Sequence, residues 1–180
     1  MPQDAHAIDT PSSWIARWAP EIRANGKVLD VACGAGRHAL FLAARGHRVH
    51  AVDRDAAAVG ALRAQGIDAL CADIEGGPWP YAGQTAGQAF DAVIVTNYLH
   101  RPLMPLLLDA LAAGGLLIYE TFALGNEQFG RPSNPDFLLK PGELLEAVRG
   151  RCRVLAYEDV YVDTPKPAMV QRICARKPAR

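Results

Sequence analysis

The chain carries no excess of either charge. Its 19 lysines and arginines balance 19 aspartates and glutamates, and its basic residues form no run. That excludes the electrostatic footprint of a general nucleic-acid binder. Cysteine is scarce: Cys33, Cys71, Cys152 and Cys174 are the only four, and they form neither a CxxC pair nor a metal-ligand spacing. No disulfide framework and no metal site is expected, and the thiols read as small hydrophobes. No apolar stretch has the length of a membrane span. The first residues lack the basic and apolar regions of a signal peptide. A cytoplasmic protein without membrane contact is the expectation.

What is present is ordinary for a globular chain, with 50% hydrophobic and 21% charged residues. At 180 residues it is read as a single domain over 1–180, since no repeat or linker divides it. Apolar runs alternate with helical patterns, which argues for an α/β fold with a largely parallel sheet. Strands are expected over residues 28–32, 48–52, 67–72, 90–96 and 116–120. Helices are expected over 36–45, closed by Gly46, from a cap at Asp55 to about 65, over 102–112 and over 141–148. A first short helix starts at Ser12 or Ser13. Gly114-Gly115 reads as a turn. Residues 154–162 and 169–175 are strand-like, and the connection between them is too short to cross a sheet, so they pair antiparallel. Residues 121–140 form a long irregular segment, a length that tends to carry function.

The chemistry concentrates in Val28-Leu-Asp-Val-Ala-Cys-Gly-Ala-Gly36-Arg-His38 and in Asp53, which ends the next apolar run. A strand, a glycine turn, a helix start and a distal carboxylate are the parts that hold an adenosine-containing molecule against a sheet edge. Gly34-x-Gly36-x-x-Ala39 followed by Asp53 also fits the dinucleotide fingerprint, so an NAD-binding oxidoreductase is the competing reading. Asp30 decides between them. A carboxylate has a poor rationale beside an anionic pyrophosphate and a good one beside an ammonium or sulfonium.

With these residues the chain resembles the class I S-adenosylmethionine-dependent methyltransferases, whose first motif is two apolar residues, an acid, an apolar residue and a Gly-x-Gly-x-Gly loop. Within them it is similar to the small tellurite-resistance-type enzymes, whose loops also continue into Gly-Arg-His. The resemblance implies a Rossmann-like three-layer sandwich with a seven-stranded, mostly parallel sheet ending in an antiparallel hairpin. It implies S-adenosylmethionine as cofactor and a small-molecule acceptor, with a catalytically silent cofactor-binding module as a further alternative. Ala32 replaces the usual first glycine, which is tolerable if its φ is negative.

The resemblance also implies roles for named residues. Asp30 lies near the methionine ammonium. Ala32, Gly34 and Gly36 bring backbone close to the cofactor, where side chains would block it. Asp53 accepts the ribose hydroxyls, or else caps the following helix, a task for which Asp55 is better placed. Asp73 faces the adenine amino group, with Ile74 packed on the ring; a turn aspartate is the alternative. Arg37 opposes the dipole of its helix, so it needs an anion, either the cofactor carboxylate or a surface acid. His38 reads as a packing residue. At the end of the fourth strand, Thr96-Asn-Tyr-Leu-His-Arg101 is not the Asn/Asp-Pro-Pro-Tyr signature of exocyclic base methylation. Asn97 is a contact for the methionine portion, Tyr98 a wall, and His100 a candidate general base. Glu120 is a second candidate acid or base. Residues 126–140, with Phe129, Arg131 and Phe137, are a candidate lid.

Overall fold

The computed structural model describes residues 10–83 and 87–179. The expectation about the first residues therefore falls outside what is described. Seven strands form one sheet in the order β3-β2-β1-β4-β5-β7-β6. They are β1 (Lys27–Val31), β2 (Arg48–Asp53), β3 (Asp68–Cys71), β4 (Phe90–Thr96), β5 (Leu111–Phe122), β6 (Arg153–Val162) and β7 (Ala168–Arg176). The first five run parallel, and β7 is antiparallel to both β5 and β6. This is the Rossmann-like arrangement expected from the sequence, hairpin included.

Side-chain alternation along the central strands fills two separate cores. Leu29, Val31, Val93, Val95 and Leu117 face α4 (Met104–Ala110) and α5 (Glu143–Val148). Val28, Ala92, Ile94, Leu116 and Ile118 face α1 (Ser13–Trp18), α2 (Arg37–Ala43) and α3 (Ala56–Ala64). Burial on both faces explains why β4 reads as an almost unbroken apolar run. The helices are short, and their ends are fixed locally. Ser12 caps α1 by accepting from the Trp14 amide, and Asp55 caps α3 by accepting from Ala57 and Ala58.

One feature departs from expectation. Gly114 and Gly115 do not separate a helix from a strand. The chain passes directly from α4 into β5 at Leu111, and the glycines lie in a bulge where pairing with β4 jumps from Leu111 to Leu116. Gly114 has φ +77°, which only glycine takes without strain. The described part of the β3–β4 connection holds no helix, in keeping with its turn-forming residues from Glu75 to Gly83. Trp79, Tyr81 and Phe90 stack edge to face there, at 5.2 and 5.3 Å between ring centres, and cover the sheet in its place.

Candidate active site

The carboxyl ends of the parallel strands gather the predicted residues on one rim. Asp30, one residue from the end of β1, is 1% exposed. Burial pushes its carboxyl up to about 7, outweighing the Ala39 amide and the Arg37 charge that pull it down; Asp53 pushes the same way. The Ala39 N–H is one of the free donors of the first turn of α2. The second carboxyl oxygen, Oδ2, is buried without a hydrogen-bond partner. A buried oxygen of this kind requires an explanation, and a cationic ligand group supplies one.

The glycine loop divides into different tasks. Gly34 has φ +53°, and a Cβ there would meet no atom within 4 Å, so its side-chain position opens onto the cradle. Its amide donates to Asp53 Oδ2 at 2.7 Å, while Asp53 Oδ1 accepts from the Asp55 amide at 2.9 Å. Asp53 therefore braces the loop, and Asp55, not Asp53, caps the helix. Gly36 corrects its expected role. A Cβ on it would lie 2.2 Å from Leu62 Cδ2, so packing of α3, not room for a ligand, demands glycine there. Ala32 also departs from expectation. Its φ is +52°, the left-handed region, where an alanine costs about 1 kcal/mol. The backbone bends as a glycine would, and the methyl is tolerated under strain.

Asp73 is exposed and accepts the Glu75 and Gly76 amides at 3.0 and 3.1 Å, which hold its carboxyl below the usual range. The turn role is thus present in the structure. Ile74 beside it is buried in the core. Asn97 is exposed, takes φ +54°, and donates its amide to the Glu120 carbonyl at 3.0 Å. His100 lies half-buried at the start of a 3-10 turn, near enough for its charge to act on Asp73.

Glu120 points elsewhere. Its Oε1 accepts from the Ser12 hydroxyl at 2.6 Å, and its Oε2 pairs with Arg172 at 2.8 Å. Ser12 also donates its amide to His38 Nε2 at 3.1 Å, which leaves the proton on Nδ1 to bond Thr96 Oγ1 at 3.2 Å. His38 is 2% exposed, and burial lowers its imidazole to about 3, so it is neutral. These contacts staple the start of α1 to the ends of β4 and β5 and occupy Glu120 in that work. Arg37 reaches the Thr10 carbonyl at 3.4 Å and forms no ion pair among the described residues.

Asn97, Tyr98, Leu99, Thr121 and Phe122 line a cleft of about 230 Å³, together with Glu75, Pro132 and Phe137. On the other side of Pro132 and Phe137 lies an open surface hollow of about 450 Å³, lined also by Arg131, Ser133 and Asn134. The 121–140 segment that builds this wall is anchored. Arg101 donates to the Asp136 and Leu138 carbonyls at 2.6 and 2.9 Å and forks onto Glu143 at 2.6 and 3.0 Å. Asn126 binds Pro132 and Met169, and Gln171 binds Lys140 and Leu144. The sequence reading missed all three anchors. A buried asparagine, a buried glutamine and an arginine leave no local periodicity, and their partners lie up to 43 residues away.

Comparison with known proteins sets this geometry in context. Residues 28–113, which contain the glycine loop, Asp53, Asp73 and the end of β4, match the family model described as a methyltransferase domain. No curated protein shows significant sequence similarity to the chain. Among solved structures, TehB from Haemophilus influenzae aligns with a TM-score of 0.71 and 19% identity over 91% of this chain. The chain spans 61% of the length of TehB. An S-adenosylmethionine-dependent methyltransferase from Mesorhizobium loti aligns with a TM-score of 0.68 and 16% identity, covering 92% of this chain and 99% of its own. A TehB-like S-adenosylmethionine-dependent methyltransferase from Corynebacterium glutamicum aligns at 0.66 and 18% identity, covering 93% and 89%.

Proposed function

We propose that the chain, whose residues 28–113 match a methyltransferase-domain model, is a class I S-adenosylmethionine-dependent methyltransferase and that it methylates a small-molecule acceptor held in the cleft beside Tyr98, Phe122 and Phe137. One observation carries the placement of the cofactor: the unpartnered, buried Asp30 Oδ2 at the strand ends. An amino group beside it satisfies that oxygen. The open Gly34 position and the Asp53 carboxylate lie on the same rim, where a ribose is held. Asp73 and Ile74 border the adenine, and Asn97 borders the methionine portion.

When bound, the cofactor supplies a methyl group on a sulfonium, an electrophile that needs alignment and dryness more than activation. The chain's own residues provide both. Gly34 lets backbone approach, Asp30 orients a cation, and Tyr98, Leu99 and Phe122 make an apolar wall at the strand ends. His100 is the proposed base for an acceptor that must lose a proton; a soft chalcogen nucleophile needs none. Glu120, tied to Ser12 and Arg172, we assign to structure. The inner cleft, at about 230 Å³, falls below the roughly 300 Å³ at which pockets for drug-sized ligands begin, which supports a small reacting part of the acceptor there. The described residues include no helix long and apolar enough to cross a membrane. The described cysteines are unpaired, which supports action in the cytoplasm.

Calorimetric titration with S-adenosylhomocysteine tests the cofactor site. Binding is expected, with Asp53→Ala weakening it by about 100-fold, the effect of removing two charge-assisted hydrogen bonds. Absence of binding at about millimolar ligand overturns the assignment. Release of S-adenosylhomocysteine against thiols, selenite, tellurite, amines and carboxylates then identifies the acceptor class.

A further inference from the structure

From the outer hollow we infer that the acceptor is a small organic anion, with its charge at the end remote from the atom that receives the methyl. This deepens the small-acceptor reading and rests on it. The inner cleft and the outer hollow share Pro132 and Phe137, so they lie side by side against the same two residues. Their chemistry differs. The inner part is walled by Tyr98, Leu99, Phe122 and Phe137, which suit an apolar body, with Glu75, Asn97 and Thr121 as its polar groups. The outer part is lined by Arg131, Ser133 and Asn134 and contains no acid.

The cation in that lining is uncommitted. Arg131 makes no ion pair and no hydrogen bond among the described residues, whereas Arg101, thirty residues earlier in the chain, is fully engaged with Glu143 and two carbonyls. Asn134 spends its side-chain oxygen on the Asp136 amide, which leaves its NH₂ group, a donor, for a ligand. Guanidinium, hydroxyl and amide NH₂ are the groups that recognise carboxylates and phosphates. The backbone that presents them is held in place by Arg101 and Asn126, and Phe137, 53% exposed, stands between the two parts.

Three probes of one shape test this: 3-phenylpropionate, 3-phenylpropionamide and 3-phenylpropylamine, titrated into protein saturated with S-adenosylhomocysteine. The acid should bind about 2- to 5-fold tighter than the amide, the range of an exposed ion pair. Arg131→Gln should abolish that preference, while Phe137→Ala should weaken all three alike. The inference is overturned by equal or tighter binding of the amide, by tightest binding of the amine (which would point to Glu75), or by an acid preference that survives Arg131→Gln. It is equally overturned if no probe binds at about 10 mM. Failure of the parent reading is seen separately, because S-adenosylhomocysteine itself would then not bind.

Discussion

Replacing Asp30 with asparagine separates what this residue does for the fold from what it does for the ligand. Its carboxyl is raised from 3.8 to about 7 by burial. At about 1.4 kcal/mol per unit, that shift corresponds to roughly 4 kcal/mol. The folded protein keeps the proton up to about pH 7, whereas the unfolded chain releases it near 3.8. The contribution to stability is therefore complete below the unfolded value and is lost as pH rises towards 7. Near pH 8 the ligand-free protein carries the whole penalty. Asparagine removes it but buries an amide beside the vacated bond, at a cost of about 1–3 kcal/mol. Asp30→Asn should thus leave the ligand-free protein about 1–3 kcal/mol more stable near pH 8 in urea unfolding. The effect on ligand runs the other way. A cationic amino group favours the carboxylate, so wild-type affinity for S-adenosylhomocysteine should climb with pH, by up to tenfold per unit, and level off above about 7. The variant should bind more weakly with no such climb. A ligand-free variant less stable than wild type near pH 8 would refute the reasoning, as would a flat wild-type affinity profile below 7.

The two loop glycines should respond differently to alanine. Gly36→Ala must displace Leu62 and should cost about 2–4 kcal/mol of stability by thermal unfolding. Gly34→Ala should cost only the left-handed strain, about 1–2 kcal/mol, yet lose most S-adenosylhomocysteine binding; similar behaviour of both would count against the division of tasks. Ala32→Gly relieves a strained φ of +52°. It should stabilise the protein by up to about 1 kcal/mol, since the gain in strain exceeds the added chain entropy, and a clear loss in a denaturant titration would show the strain is absent.

Legibility in the sequence followed the range of the interaction. β4 appears at residues 90–96 as read, because burial on both faces writes itself as a continuous apolar run. The Asp55 cap and the terminal hairpin were equally visible, since two- and three-residue spacings and a short loop encode them. The loop 28–36 was legible as a ligand cradle, but not which glycine served what. The crowding at Gly36 comes from Leu62 on another helix, and no spacing within the motif reports it. Likewise, Glu120 looked like a free acid on the strand rim because Ser12, 108 residues before it, is invisible from its own neighbourhood. The bulge at Gly114-Gly115 looked like a turn because both need the same backbone freedom.

Two buried ionisable groups near the site, Asp30 and His38, depart from their ordinary values in opposite directions, to about 7 and about 3. The imidazole alone would make stability fall as pH drops from 6.5 towards 3, while the carboxyl alone would make it fall as pH rises from 3.8 towards 7. Between about 4 and 6.5 the unfolded chain holds a charged imidazole and a charged carboxylate, and the folded chain holds both neutral. The number of protons is the same. Folding in that window hands one proton from histidine to aspartate and exchanges none with the solvent, so the two slopes cancel. Asp30 thus joins the cradle without its charge, and the positive group that enters beside it is what draws that negative charge back.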